Sequence, residues 1–386
     1  MVTRTVILTN SVSSKFPVNE LCPILSIDLK ALSHNYIALQ KKSGTAKLAT
    51  VVKADAYGLG IDKIVPVLKA AGCESFFVAT ANEASTLRAI TNDSDIYIMN
   101  GLTCEGADLA NKKLAPCLAS AEEVARWITL CADRSSNLPA AIHIDTGFNR
   151  LGICPDDWPE IADQVKASLF TPRLIMSHLA CSEYKEHPKN SSQLEKFEAA
   201  RQLFPDVTAS LANSGGIFLG SDFHYNLIRA GIGLYGSVEF DTADAGLQNV
   251  LSLHVPILQI RDVKQGETVG YGCDFIAQRD SQVAILGIGY ADGIFRHLGD
   301  LKNKPASATV ALEGQMLPLI GRISMDLTTI DVTDFNGKLE KGMMVELIGE
   351  NIKLADVAKR ANSISYEILT RLGTRYKRHY KHPDMP

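Results

Sequence analysis

A lysine ends an apolar run near the start of the chain, in the segment VVKADAYGLG (51–60). Lysine normally lies on exposed surface, because burial of an unpaired ammonium group is costly. At the end of a strand that faces a pocket, a lysine can instead lose its proton and act as a nucleophilic amine. For an isolated VVK triplet the solvated surface residue is the better interpretation, so Lys53 needs support from the rest of the chain.

Four further segments carry residue types that bind anions or move protons, and each follows a short apolar run. They are HIDTGFNRLG with Asp145 and Arg150, SHLA with His178, LANSGG with Ser214, and RAGIGLYG with Arg229 and Gly231. Each segment alone is a weak signal. Their meaning depends on whether a fold brings them together.

Strand-like and helix-like segments alternate from residue 47 to residue 231. Apolar or β-branched runs occur as KLATVVK, SFFVA, IYIMN, KLAPCLA, AAIHIDT, LIMSHLA, VTASLANS and YNLIRAG. Helical spacing separates them, and Ser120 and Ser192, each three residues before a glutamate, predict helix starts of the capping-box type. Eight such strands with crossover helices predict an α/β fold, a (β/α)8 TIM-like barrel. The C-terminal ends of its strands would bring Lys53 and the four segments to one mouth.

The pattern changes after about residue 249, where strands follow one another through short glycine-containing turns, as in HVPILQIRDV, QVAILGIGY and ATVALEG. This spacing predicts a mainly antiparallel β domain. The segment 24–40 would supply a first strand and helix that lead into the barrel. We therefore expect a barrel domain over 24–248 and a C-terminal β domain over 249–386. Residues 1–23 would be an N-terminal extension packing on the β domain.

Composition and charge narrow the class of protein. The 386 residues carry a formal net charge of -4, which gives no reason to expect a nucleic-acid partner. The 8 cysteines show no C-x-x-C spacing, which argues against a zinc site and a disulfide scaffold. The N-terminus lacks the apolar core of a signal peptide, and no segment approaches the ~18 apolar residues of a membrane span. These patterns predict a cytoplasmic protein with no metal site and no membrane partner.

The glycine-rich segment GIGLYG (231–236) matches the G-x-G-x-x-G pattern of dinucleotide sites. It follows the last barrel strand instead of opening a βαβ unit, and no acidic residue stands ~20 positions later. Backbone amides near a phosphate are the better interpretation, with a purely structural turn as the alternative. A primary amine, a phosphate site and no metal cluster together suggest pyridoxal phosphate, with Lys53 forming a Schiff base to it.

Arg229 bears on the kind of chemistry. Arginine is always protonated and only donates hydrogen bonds, so a pyridine nitrogen that faces it must stay unprotonated. A weaker electron sink disfavours long-lived carbanions and favours proton exchange at the α-carbon. Taken without the other residues, Arg229 is better interpreted as one member of a structural ion pair.

The motifs, taken in order, resemble those of the alanine racemases over residues 24 to 380. They are VVKADAYGLG, HIDTGFNRLG, SHLACSE, LANSGG, RAGIGLYG, GYADG, GRISMDL and SYEILTRLG. The resemblance implies a pyridoxal-phosphate enzyme that interconverts L-alanine and D-alanine, either for D-alanine biosynthesis or for alanine breakdown. It also implies a barrel plus a β domain, and a head-to-tail homodimer with active sites at the subunit interface.

The resemblance also assigns roles by motif. Lys53 would hold the cofactor and act as one base, and Tyr290 would be the second base, reaching the active site of the other subunit. The phosphate would be surrounded by Tyr57, Ser214, Gly231, Ile232 and Tyr366. Arg229 would meet the pyridine nitrogen, and His178 would orient Arg229 or the tyrosine. Arg150 would lie beside the phenolic oxygen and the substrate carboxylate, which the backbone around Met325 would also bind across the interface.

Two positions depart from the family pattern. Many members have a lysine, often carbamylated, where this chain has His143. Histidine cannot carry that carbamate, so Arg150 would be held by His143 itself, a water or an anion. Ser324 stands where GRISMDL often has cysteine, which is tolerable because no covalent role is implied.

Racemisation requires proton removal on one face of the α-carbon and return on the other, so two bases are expected. A tyrosine, with a reference pKa of ~10, needs neighbours such as His178 and Arg229 to help it ionise.

A broad-specificity or serine racemase of the same family is the alternative. A barrel-type pyridoxal-phosphate decarboxylase is a less favoured alternative, because it would be expected to place a carboxylate, and not Arg229, at the pyridine nitrogen. A non-enzymatic cofactor-binding protein made of a single barrel is also less favoured, because it would not need the second domain.

Overall fold

The computed structural model describes residues 21–237, 246–299 and 308–382. Most of the expected N-terminal extension, residues 1–20, lies outside the described residues. The strands are β1 (Ile24–Asp28), β2 (Lys47–Val51), β3 (Ser75–Val78), β4 (Asp95–Ile98), β5 (Ala115–Leu118), β6 (Ala141–His143), β7 (Leu174–Met176), β8 (Thr208–Ser210), β9 (Leu227–Ala230), β10 (Leu251–Val263), β11 (Thr268–Val269), β12 (Phe275–Ile276), β13 (Ser281–Leu286), β14 (Thr309–Leu312), β15 (Gln315–Ile320), β16 (Thr328–Asp331), β17 (Met344–Ile348) and β18 (Lys377–Lys381). The helical segments are α1 (Leu29–Lys42), α2 (Lys53–Gly58), α3 (Ile61–Ala70), α4 (Ala81–Ile90), α5 (Gly106–Asn111), α6 (Ala121–Asp133), α7 (Trp158–Lys166), α8 (Pro188–Gln202), α9 (Leu354–Arg360) and α10 (Ser365–Arg371).

The predicted barrel is confirmed, and each of the eight predicted runs forms one of its strands. An 8-stranded parallel sheet runs from β2 to β8, with β9 paired to β2 at the other edge. Backbone hydrogen bonds bring the two edges together: Asn226 N–H donates to Ala209 O (3.1 Å) and Arg229 N–H to Ala212 O (3.0 Å). Every residue of β5 and β6 is buried, as expected for parallel strands that are covered on both faces.

The helix starts follow the predicted capping chemistry at one serine and not at the other. Ser120 caps α6, and its Oγ accepts a hydrogen bond from Glu123 N–H (3.2 Å). The prediction at Ser192 is wrong, because α8 already begins at Pro188 with His187 as its N-cap. Proline favours the first position of a helix, since its φ is preset and its missing N–H has no partner there.

The second sheet is also 8-stranded, in the order β13-β16-β15-β14-β17-β10-β1-β18, with a further pairing of β10 to β13. Its pairs are antiparallel except for β1 with β18, so the mainly antiparallel β domain is confirmed. The first strand, expected to lead into the barrel, instead pairs with β10 and β18. Its alternating burial, with Leu25 and Ile27 inside, suits a sheet that is covered on one face.

The C-terminal segment returns to the barrel. Arg378 Nη1 donates to Gly58 O (2.6 Å) and Tyr380 Oη donates to Leu59 O (2.8 Å), so the end of the chain contacts the loop after β2. Within the described residues, no helix is long and apolar enough to cross a membrane.

Candidate active site

Lys53 follows β2 at the barrel mouth and opens a left-handed turn. Residues 54–57 all have φ between 52° and 58°, although none is glycine. A left-handed conformation costs about 1–2 kcal/mol per non-glycine residue, so other contacts must stabilise it. Glu83 Oε1 accepts from Ala54 N–H (2.9 Å), and Asp55 Oδ1 accepts from Ile61 N–H (2.8 Å). The turn redirects the chain sharply and holds Lys53 at the strand end.

The surroundings of Lys53 favour its neutral amine. Its side chain is half-buried, and burial, followed by the positive charge of Arg150, lowers the pKa of the amine. Glu83 acts in the opposite direction and is the smaller influence. A depressed pKa is what a nucleophilic or basic lysine requires near neutral pH.

Arg229 lies inside the barrel with only 2% of its surface exposed. Its guanidinium donates to the carbonyl oxygens of Ser210 (2.9 Å), Ser177 and Leu211 (3.3 Å), and to His178 Nδ1 (3.3 Å). Within the described residues it forms no ion pair with a carboxylate, so the structural ion pair is not observed there. Burial lowers its pKa to about 10, which leaves the guanidinium protonated at neutral pH.

His178 is a neutral neighbour of this guanidinium. Burial, and then the charge of Arg229, lowers the pKa of His178 well below its usual value. Because arginine can only donate, Nδ1 of His178 accepts, and its single proton is assigned to Nε2. Gln193, on α8, fixes this loop by donating to His178 O (2.8 Å) and accepting from Ala180 N–H (2.8 Å).

The predicted phosphate residues lie together where β9 ends. Ser214 Oγ accepts from Gly231 N–H (2.8 Å) and Gly233 N–H (3.2 Å), so the serine hydroxyl proton is free to donate elsewhere. A Cβ at Gly231 would lie 2.4 Å from Tyr57 Oη, which explains the glycine. The Tyr57 and Tyr366 rings are 5.9 Å apart, and buried Ile232 begins the short 3₁₀ turn Ile232–Tyr235. The two glycine amides point at Ser214, whereas the sequence suggested that they face the phosphate directly.

The loop after β6 holds Arg150 at the mouth. Asp145 Oδ1 accepts the backbone N–H groups of Gly147 (2.8 Å) and Phe148 (2.9 Å), which closes the loop tightly. The Arg150 guanidinium lies 4.1 Å from the centre of the Phe148 ring. Arg150 is exposed, and its positive charge contributes to the lowered pKa of both Lys53 and His178.

Tyr290 and Met325 lie on the β domain as a second group. Tyr290 N–H donates to Ser324 O (3.0 Å), and Ala291 N–H donates to Met325 O (3.0 Å). A Cβ at Gly289 would lie 2.3 Å from Met325 O, so the glycine permits this close contact. Tyr290 is 38% exposed and Met325 is 53% exposed. The structure thus forms two groups, one at the barrel mouth and one on the surface of the β domain.

The chain matches the family model described as alanine racemase, N-terminal domain, over residues 27–239. It matches the model described as alanine racemase, C-terminal domain, over residues 250–380. The chain belongs to the alanine racemase family. The predictions that the chain belongs to this family, has its fold and is an enzyme are therefore confirmed.

Individual relatives are similar over most of their length. The biosynthetic alanine racemase of Agrobacterium fabrum is 39% identical over 387 residues, covering 97% of this chain and 99% of the relative. The alanine racemase of Rhizobium meliloti is 40% identical and covers 92% of this chain and 96% of the relative. The crystal structure of alanine racemase from Bartonella henselae with covalently bound pyridoxal phosphate has a TM-score of 0.89 and 38% identity, covering 94% of this chain and 100% of the other.

His143, which the sequence resemblance led us to expect as a departure from the family motifs, is the last residue of β6. It is 8% exposed, and its Nδ1 has no hydrogen-bond partner within the described residues. Burial, followed by the charge of Arg229, lowers its pKa to about 4. Ser324, the other departure, acts through its backbone oxygen, which accepts from Tyr290 N–H.

We expect His143 to make this alanine racemase family member less stable in acid. Its folded pKa of about 4 lies below the reference value of 6.5, so the unfolded chain binds the proton first and stability falls as the pH drops from 7 to 4. The loss is about 3 kcal/mol. Urea unfolding of the holoenzyme at several pH values should show a shallower acid-side loss in His143→Gln. Equal losses in both proteins would contradict the neutral, buried histidine.

Two functional features of the site had little or no sequence signal. The left-handed turn is made by Ala54, Asp55, Ala56 and Tyr57, residues that do not mark such a conformation. Gln193 is fully buried in α8 and bonds to Thr146 Oγ1 (3.1 Å) as well as to the His178 loop. A glutamine inside a polar helix offers no pattern that separates it from a solvated one.

Proposed function

We propose that this enzyme interconverts L-alanine and D-alanine, using pyridoxal phosphate and two bases, Lys53 and Tyr290 of the partner subunit. The observation that carries the proposal is the pairing of a pKa-depressed lysine with a buried arginine, Arg229, that has no carboxylate partner among the described residues. The Bartonella henselae relative, with its covalently bound pyridoxal phosphate, supports the choice of cofactor.

The residues at the mouth fit this cofactor. Lys53 Nζ would hold its aldehyde carbon, and the phosphate would lie where Ser214, Tyr57 and the Ile232 amide meet. The Ser214 hydroxyl accepts from Gly231 N–H and Gly233 N–H, so its proton is available to a phosphate. Because Gly231 has no Cβ, the Tyr57 hydroxyl can lie beside these amides, only 2.4 Å from where a Cβ would be. When bound, pyridoxal phosphate withdraws electrons from the α-carbon of the attached amino acid.

Arg229 limits how far that withdrawal goes. Its guanidinium is held by the Ser210 and Ser177 carbonyls and stays protonated, so towards the pyridine nitrogen it can only donate a hydrogen bond. An acceptor nitrogen stays unprotonated, which favours brief proton exchange at the α-carbon. A decarboxylase would gain from a carboxylate at this position, so Arg229 favours the racemase.

The chain's own groups would move the proton. Lys53 Nζ, with its lowered pKa, takes or returns the proton on one face of the α-carbon. The hydroxyl oxygen of Tyr290 of the partner subunit does the same on the opposite face. His178 would donate its Nε2 proton towards that oxygen, because its Nδ1 is engaged by Arg229. This hydrogen bond stabilises the ionised tyrosine and orients it.

Arg150 and the Met325 backbone would bind the substrate carboxylate. Arg150 has its charge free of any ion pair in the described chain and stacks on Phe148, which fixes its direction. Tyr290 and Met325 adjoin each other on an exposed face, beside Leu327, which is 41% exposed. Exposed apolar side chains of this kind support a head-to-tail homodimer in which this face covers the partner's barrel mouth.

The direct test is the optical rotation of L-alanine incubated with the purified protein and added pyridoxal phosphate. We expect the rotation to decay to zero while total alanine stays constant. The same assay with L-serine distinguishes a broad-specificity or serine racemase. Unchanged rotation for alanine, with the cofactor shown to be bound, would contradict the proposal and direct attention to other amino acids and then to decarboxylation.

A further inference from the structure

Arg375 joins the two parts of the β domain that carry Tyr290 and Met325. We call residues 289–293 the Tyr290 turn and residues 324–327 the Met325 loop. Arg375 Nε donates to Asp292 Oδ1 in the turn (2.7 Å), and Nη1 donates to Asp326 Oδ1 in the loop (2.7 Å). One guanidinium therefore bridges two carboxylates on separate segments.

The Asp292 side chain makes this bridge more than a surface ion pair. It is only 5% exposed, and its other oxygen, Oδ2, accepts from Gly289 N–H (2.9 Å) at the start of the turn. Its backbone oxygen accepts from Tyr376 Oη and from Gly373 N–H (3.3 Å). Removal of Arg375 would leave a buried carboxylate oxygen without its partner, which is costly, whereas exposed pairs contribute little.

The shape of the turn depends on the same contacts. Tyr290 is the first residue of a 3₁₀ turn, Tyr290–Asp292, that Asp292 closes back onto Gly289. In the described part of the chain, two backbone hydrogen bonds dock the turn on the Met325 loop, from Tyr290 N–H to Ser324 O and from Ala291 N–H to Met325 O. Arg375 adds the charged link between these two segments.

We propose that Arg375 is a positioning residue, which sets the direction of the Tyr290 side chain and its spacing from the Met325 loop. The proposal rests on the proposed function, in which these two segments act together at the partner's barrel mouth. Arg375 does not touch the reacting atoms. It acts through Asp292 on the tyrosine and through Asp326 on the loop, so that base and carboxylate site move as one unit.

The variants to compare are Arg375→Ala, Arg375→Lys and the matched control Arg279→Ala. Arg279 pairs with Asp334 in the same domain and is similarly exposed, 53% against 51%, but that pair does not involve the Tyr290 turn or the Met325 loop. Lysine offers one point charge and cannot reproduce the two-ended bridge, so Arg375→Lys should recover only part of the effect. If Arg375→Ala does not fold, Asp326→Asn removes the exposed end of the bridge and leaves Asp292 paired.

The first readout is amide hydrogen exchange of the holoenzyme, followed by mass spectrometry of peptides that contain residues 289–293 and 324–327. We expect exchange there to be roughly 10-fold faster or more in Arg375→Ala, with the barrel peptides unchanged. Exchange at wild-type rates in both segments would overturn the proposal. This readout does not depend on which reaction the enzyme catalyses.

The second readout is kcat and KM in both directions of racemisation. Because the two enantiomers have equal free energies, kcat/KM must fall by the same factor in both directions. A misplacement of about 1 Å can cost about 100-fold, so we expect kcat/KM to fall by 10- to 100-fold, with a larger primary deuterium effect from the α-deuterated enantiomer that needs Tyr290 as the base. Faster local exchange and a lower kcat/KM, with similar deuterium effects in both directions, would show that Tyr290 is not a one-sided base. That outcome counts against the proposed function and leaves the positioning by Arg375 intact. Faster exchange with unchanged kcat and KM would overturn the positioning role itself.

Discussion

Replacement of Lys53 by alanine is expected to abolish racemisation and covalent attachment of the cofactor. The variant loses both the amine that holds the cofactor and the base on one face of the α-carbon. A well-placed general base alone contributes about 10²–10⁴-fold, so kcat should fall by at least ~10³-fold. Mass spectrometry after borohydride reduction should find the cofactor mass on the peptide with Lys53 in the wild type, and no such mass in the variant.

Lys47 provides a matched control for this experiment. It opens the same strand, β2, and its ammonium pairs with Glu74 on exposed surface (2.9 Å). Lys47→Ala should keep full activity and full cofactor attachment. Small alkylamines added to Lys53→Ala should restore part of the rate if a missing base is the cause. Normal racemisation by Lys53→Ala would remove this residue from the mechanism.

Replacement of Tyr290 by phenylalanine is expected to affect the two enantiomers unequally. The substitution removes only the hydroxyl oxygen, so the turn at Gly289 and its contact with Met325 should persist. Abstraction from one enantiomer should slow by about 10²–10⁴-fold, with a larger primary deuterium effect in that direction. Kinetics with α-deuterated L-alanine and D-alanine measure this directly. Similar isotope effects in both directions would count against Tyr290 as a one-sided base. Tyr225→Phe, which loses a hydroxyl that bonds to Glu198 (3.3 Å), serves as the control.

A mixture of the two inactive variants tests whether Tyr290 acts across the subunit interface. In a heterodimer of Lys53→Ala and Tyr290→Phe subunits, one active site has both wild-type residues only if the tyrosine comes from the other subunit. With random association in a twofold dimer, about one quarter of wild-type activity should return on co-expression. If Tyr290 served its own subunit, every site would lack one residue and no activity would return.

Much of the barrel was predictable because most of its strands lie in apolar or β-branched runs between helices. The positions of β2 to β9 match these runs, since parallel strands covered on both faces are mainly apolar. The start of α8 was less predictable. Ser192 and Glu195 have the spacing of a capping box at a helix start, but they lie inside a helix that begins at Pro188. The sequence also did not show which sheet β1 joins. Nothing in the segment ILSID indicates whether it pairs with a barrel strand or, as observed, with β10 and β18.

From the sequence alone, the residue types determined the chemistry that this protein could support. The apolar periodicity determined the barrel, the rule that chemistry lies at strand ends selected Lys53, Arg150, His178 and Arg229, and the ordered motifs identified the family. Only the tertiary structure decided the electrostatics. The low pKa of Lys53 comes from burial and from Arg150, which lies 97 positions further along the sequence. The left-handed turn depends on Glu83, and the Tyr290 turn depends on Arg375. Such contacts join residues that are distant along the chain, and only their distances in space determine how strongly they interact.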